Sequence, residues 1–139
     1  MKAVLLISHG SHSPKTKDEV IALIKRLIDL CTTTNIGKEK VGKPLSRVEI
    51  FEYAFLEIES PSIPDGIDRC VGQGATDLTI LLNFLNSGRH VNEDIPRIVS
   101  EAKQKYPDVK FRITPPVGQH PKIDELFVEL INSRSPEAK

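Results

Sequence analysis

His9 and His90 are the residues in this sequence best placed to do chemistry. His9 follows the apolar run Lys2-Ala-Val-Leu-Leu-Ile7 within Ser8-His9-Gly10-Ser11, and His90 closes the loop Phe84 to His90 after a second apolar run, Thr76 to Asn83. An imidazole can ligate a divalent transition metal or take up a proton near neutral pH. Glu57 and Glu59 follow a third strand-like segment, and His120 follows a fourth. Two imidazoles with a carboxylate nearby suit cobalt, nickel, iron or zinc, whereas calcium or magnesium would prefer more oxygen donors.

The two apolar runs read as strands buried on both faces, since they lack the alternation of a half-exposed strand. Strand 1 covers Lys2 to Ile7 and strand 3 covers Thr76 to Asn83. Arg47 to Tyr53 alternates apolar and charged residues and reads as strand 2, with Ala54 to Pro64 a long turn; Val109 to Ile113 is strand 4. Helices fall between and after them. Ser13-Pro14 supplies a capping hydroxyl and a proline for a helix from Pro14 to Cys31, whose Val20, Leu23, Ile24, Leu27 and Leu30 recur at helical spacing. Further helices are predicted at Pro64 to Gln73, Val91 to Lys105 (with Asp94 in its first turn) and Ile123 to Ile131, and a loop over Thr114 to Pro121. Gly72-Gln73-Gly74 lies between helix and strand, on the wrong side for a phosphate loop, and reads as a helix stop.

Four alternations of strand and helix predict a flavodoxin-like α/β fold, a four-stranded parallel sheet in the order 2-1-3-4 with helices on both faces. Ligands of such sheets bind beyond the carboxyl ends of the strands, where the strand order reverses. Here that point lies between strands 1 and 3, so His9 and His90 flank it and Glu57, Glu59 and His120 share its rim.

The 139 residues give one domain, over 1–134, with a polar tail over 135–139. Apolar residues at 39% and charged residues at 27% describe a globular chain, and the 19 basic and 19 acidic residues balance. No basic face with interleaved aromatics favours nucleic acid as a partner. The longest apolar run near the start is too short for a signal peptide or a membrane span, so a cytoplasmic location is expected. Cys31 and Cys70 fit no zinc or redox spacing and are expected to be reduced and mostly buried. Residues 32–46, with three lysines, Gly37, Gly42 and Pro44, are expected to form an exposed basic loop.

His9-Gly10-Ser11, the segment Phe55 to Ile63 with Glu57 and Glu59, the segment Phe84 to His90, and Asp94-Ile95-Pro96 occur in an order and spacing that resembles the small sirohydrochlorin chelatases. These are class II chelatases that insert cobalt or iron in cobalamin and sirohaem synthesis. The resemblance runs from strand 1 through the final helix, and it is specific for the family but not for the metal. It implies a lyase of half size that pairs as a homodimer, larger relatives holding two such units in one chain. It also implies that a divalent metal (cobalt, ferrous iron or nickel) is a substrate, with no tightly bound cofactor, and that the anionic tetrapyrrole sirohydrochlorin is the partner. His9 and His90 match the histidines that hold the incoming metal or accept pyrrole protons, and Glu57 matches the acidic residue that assists them. Glu59 reads as a solvated or capping carboxylate and His120-Pro121 as a structural turn. The sequence departs from the family pattern at His12, usually arginine, at Asn83, usually proline, and in the length of the basic loop.

Metal insertion needs weakly held ligands for the metal, a base with a pKa near ambient pH, and a cleft for the ring; neutral histidine serves the first two. The carboxylates of the macrocycle call for cations, with Ser11, Lys15 and Arg89 as the expected contacts and Lys17 and Arg97 further along the rim. Alternatives are nickel insertion into the related macrocycle and a non-catalytic carrier of metal or tetrapyrrole. Histidine phosphatases also carry histidine and glycine after strand 1, but Ser8 stands where they need an arginine; a receiver domain would need an aspartate where strand 3 ends at Asn83.

Overall fold

The apolar run that opens the chain is strand β1 (Lys2–Ser8), an inner strand of a four-stranded parallel sheet. The structure, a computed structural model, describes residues 1–32 and 47–133. The expected tail lies outside the described residues, as does the expected basic loop apart from its first residue. With β2 (Ile50–Phe55), β3 (Asp77–Leu82) and β4 (Lys110–Ile113) the sheet has the predicted order β2-β1-β3-β4. Ile7 lies level with Ala54 on one side and Leu82 on the other, so three strands end together on one rim.

The period-2 alternation of β1 feeds two cores. Leu6 faces α1 (Pro14–Thr32) and packs with Val20, Ile24 and Phe55. Leu5 and Ile7 face the opposite way, into a larger cluster with Ile63, Ile67 and Cys70 of α2 (Ile63–Gly72) and Ile95 and Val99 of α3 (Ile95–Lys105). Both Leu5 and Ile7 are fully buried, and each such side chain contributes about 1.5–3 kcal/mol. Ser62 caps α2, its hydroxyl accepting the Asp65 amide at 3.3 Å. That helix stops as expected: the Gln73 amide donates to the carbonyls of Arg69 and Cys70, and Gly74 follows at φ 105°. The two cysteines are free as expected; Cys70 is fully buried and Cys31 half-buried. Burial, helped by the charge of Glu52, pushes the Cys70 thiol up to about 12, so it packs as an inert hydrophobe.

Three elements differ from the sequence reading. β2 is shifted from the expected 47–53 because its pairing with β1 begins at Ile50 opposite Ala3 and persists to Phe55 opposite Ser8. Ala54 and Phe55 are both fully buried, one in each core, which hides the strand end from an alternation pattern. The helix expected from Val91 is broken in two: a wide π-helical turn over His90–Asp94 precedes α3. Pro96 lacks an amide hydrogen and sits at the start of α3, where none is needed, and the Ile95 amide reaches back five residues to the His90 carbonyl. The last helix, α4 (Ile123–Asn132), contains no buried residue and lies against the short 3-10 turn Val117–Gln119. Leu126, Phe127, Val128, Leu130 and Ile131 along it are exposed.

Candidate active site

At the carboxyl end of β1 the chain turns through Gly10, whose φ of 100° favours glycine. A Cβ built there would lie 1.9 Å from the Glu57 carbonyl oxygen, so only glycine allows the turn after β1 to press against the turn after β2. Backbone hydrogen bonds join the two: the Leu56 amide donates to Ser8 at 2.9 Å and the Glu57 amide to His9 at 3.1 Å. Ile58 is held at φ 71° in a tight turn closed by the Glu59 amide on the Glu57 carbonyl at 2.8 Å. A β-branched residue in that region costs on the order of 1–3 kcal/mol, and half-exposed Ile58 gains little burial in return.

His9 is exposed on this rim, its ring edge-on to the buried Phe84 with centroids 4.6 Å apart. Its other ring neighbour is His90, 5.7 Å away between centroids and nearly perpendicular. Histidines 81 positions apart in the sequence thus meet as the fold rule requires. His90 opens the π-helical turn, and its Nδ1 lies 2.7 Å from Asp94 Oδ2. The other Asp94 oxygen forms an ion pair with Arg97 at 3.6 Å. Sequence reasoning placed Asp94 on a helix without a role; the available signal was its spacing of four residues from His90. Below the pair, Asn83 donates from Nδ2 to Ser8 Oγ at 3.0 Å and ties the ends of β3 and β1.

The other expected residues divide. Glu57 is fixed beside His9 through its backbone, but among the described residues no three His, Cys, Asp or Glu side chains form a cluster able to hold a metal. The expected set of His9, His90 and Glu57 is therefore assembled as a pair of imidazoles, with the exposed Glu57 carboxylate outside it. Glu59 ties the two turns together: its Oε2 accepts the Ser11 amide, ahead of α1, at 3.4 Å. Ser11 Oγ accepts the Ser13 amide at 3.1 Å, which gives that hydroxyl a part in the turn into α1. Lys15 and His12 are exposed near the start of α1, and Arg89 is exposed and forms an ion pair with Glu93 at 3.6 Å. His120 has the structural-turn geometry expected of it, Nδ1 accepting the Lys122 amide at 3.0 Å. Its loop is pressed onto the one after β3, where a Cβ on Gly118 would meet the Leu85 carbonyl at 1.8 Å.

This is a rim site with imidazole nitrogens, nearby cations and no closed cage, suited to a metal held loosely and passed on. A family model described as CbiX matches residues 3–134. The chain is 33% identical over 139 residues to a sirohydrochlorin cobaltochelatase of Priestia megaterium, covering 99% of this chain and 39% of that protein. It is 32% identical over 132 residues to a sirohydrochlorin ferrochelatase of the same organism, covering 95% and 44%. Its fold also matches the crystal structure of the sirohydrochlorin chelatase SirB from Bacillus subtilis subspecies spizizenii in complex with cobalt. That match has a TM-score of 0.72 and 26% identity, over 94% of this chain and 49% of the other. The chain spans about half the length or less of these relatives. The family match runs from the first strand through the last helix, and the chain belongs to the CbiX family.

Proposed function

We propose that this chain inserts a divalent metal, cobalt or iron, into sirohydrochlorin. The observation that carries the reading is the meeting of His9 and His90 at the open rim of the sheet. In the reaction the macrocycle loses two pyrrole protons while the metal exchanges water and protein ligands for four ring nitrogens. Two imidazoles hold such a metal weakly enough to release it, and an imidazole nitrogen not engaged by the metal can accept a pyrrole proton. Glu57, anchored next to His9 by its amide, is the carboxylate that assists them once substrate closes over the rim. Arg89, Lys15 and Ser11 receive the peripheral carboxylates; Arg89 exchanges its exposed partner Glu93 for the ligand. Cobalt and nickel outrank iron in intrinsic affinity for nitrogen donors, and the names of the relatives favour cobalt and iron.

The working form is a homodimer in the cytoplasm. Support for pairing comes from the exposed apolar side chains of α4, with Leu85 and Val117 exposed on the loops beside it. Among the described residues no helix is long and apolar enough to cross a membrane.

The test is spectroscopic. Under anaerobic conditions, protein at one-hundredth the concentration of sirohydrochlorin is mixed with cobalt or ferrous iron, and the tetrapyrrole absorption is followed. Full conversion well above the uncatalysed rate is expected. A change that stops at one equivalent per protein would make it a carrier, and none with either metal would refute the assignment.

A further inference from the structure

Asp94 ends the π-helical turn that runs directly into α3, and its side chain makes no hydrogen bond to the amides of that helix. It is turned instead to His90, with Oδ2 at 2.7 Å from Nδ1, a charge-assisted distance, while Arg97 holds Oδ1 at 3.6 Å. The Asp94 side chain is 28% exposed, against 70% for Glu93 in the neighbouring pair with Arg89, so this contact is not one of two equivalent surface pairs. The helical turn over His90–Asp94 puts the carboxylate and the ring, four residues apart, on one face.

We propose that Asp94 is a positioning residue: it keeps the hydrogen of His90 on Nδ1, leaves Nε2 as the only lone pair on the neutral ring, and fixes the ring opposite His9. Arg97 supports it by holding the second carboxylate oxygen. A carboxylate behind a ligating histidine selects the tautomer and orients the ring, and its loss typically costs 10- to 100-fold in metal affinity or activity. The inference rests on the reading of His90 as a metal ligand or proton acceptor in the proposed reaction.

Two measurements test it, on the wild type, Asp94→Ala and the isosteric Asp94→Asn, which guards against a folding defect. Nitrogen-15 NMR of the histidine rings, without metal or macrocycle, should show His90 as the Nδ1–H tautomer in the wild type and a shift toward Nε2–H in Asp94→Ala. An Nε2–H ring in the wild type, or the same tautomer in Asp94→Ala, would overturn the proposal. In the cobalt assay, kcat of Asp94→Ala should fall about 10- to 100-fold, with Asp94→Asn between it and the wild type and the KM for sirohydrochlorin within about twofold. Wild-type kcat in Asp94→Ala would also overturn it. Full activity in His90→Ala would instead remove the functional reading, and the NMR result, obtained without substrate, keeps the two failures apart.

Discussion

At the scale of single residues, Gly10 decides whether the rim exists. A side chain there would strike the Glu57 carbonyl from a backbone at φ 100°, and the turns that carry His9 and Glu57 would have to separate. Gly10→Ala should therefore destabilise the protein by about 2–4 kcal/mol, measured by urea denaturation, and lower chelatase activity as well; a change under about 0.5 kcal/mol would mean that the turns part freely. His9 and His90 were legible in the sequence because an apolar run fixes where a strand ends and the fold rule fixes which strand ends are neighbours. Asp94 was not legible as a partner of His90, because the sequence predicts a helix beginning at Val91 with His90 in the preceding loop; the helical turn begins at His90 itself, which puts the two side chains four residues apart on one face. The Glu57 carboxylate shows the reverse: sequence placed it correctly on the rim, but a backbone position does not say where a long exposed side chain points.

Between elements, α2 and α3 are pinned side by side on the sheet by Asp68, which accepts from Tyr106 Oη at 2.6 Å and from Lys105 Nζ at 3.2 Å. Because α3 continues from the turn that holds His90 and Asp94, this contact helps to set the rim from the far end of the helix. The Tyr106 hydrogen bond, assisted by Lys105, holds the Asp68 carboxyl below its ordinary value, and the same bond raises the Tyr106 hydroxyl. A carboxyl depressed in the folded state adds stability above its unfolded value and loses it as pH falls through the folded one. Asp68→Asn should accordingly be less stable than the wild type at pH 7, and the gap should close as both are acidified below the ordinary carboxylate range. Tyr106→Phe should cost about 0.5–1 kcal/mol, the lower end for a net hydrogen bond because the pair is partly solvated. Parallel unfolding curves at every pH would contradict the linkage. None of this was legible beforehand: Asp68 and Tyr106 are 38 residues apart, and only the packing of two helices on one sheet face joins them.

For the molecule as a whole, the strand order and the helices on both faces followed from fully apolar strands alternating with helices, since strands buried on both faces leave few topologies. The standing of α4 did not. Its position was expected, but the sequence did not say which way its apolar residues turn; in the single chain they face outward. On the dimer reading, those residues are buried against a second copy. Phe127→Glu with Leu130→Glu should turn a dimer into a folded monomer in size-exclusion chromatography with light scattering; a monomeric wild type would exclude the pairing. The central claim, that two imidazoles brought together from distant strand ends do the chemistry, has its most direct test in the initial rate of cobalt insertion into sirohydrochlorin by His9→Ala and His90→Ala. Both side chains lie on the surface, so both variants should keep the wild-type fold by circular dichroism and lose at least about 100-fold in rate, in line with removal of a ligand or base. Wild-type rates in both variants would contradict the account.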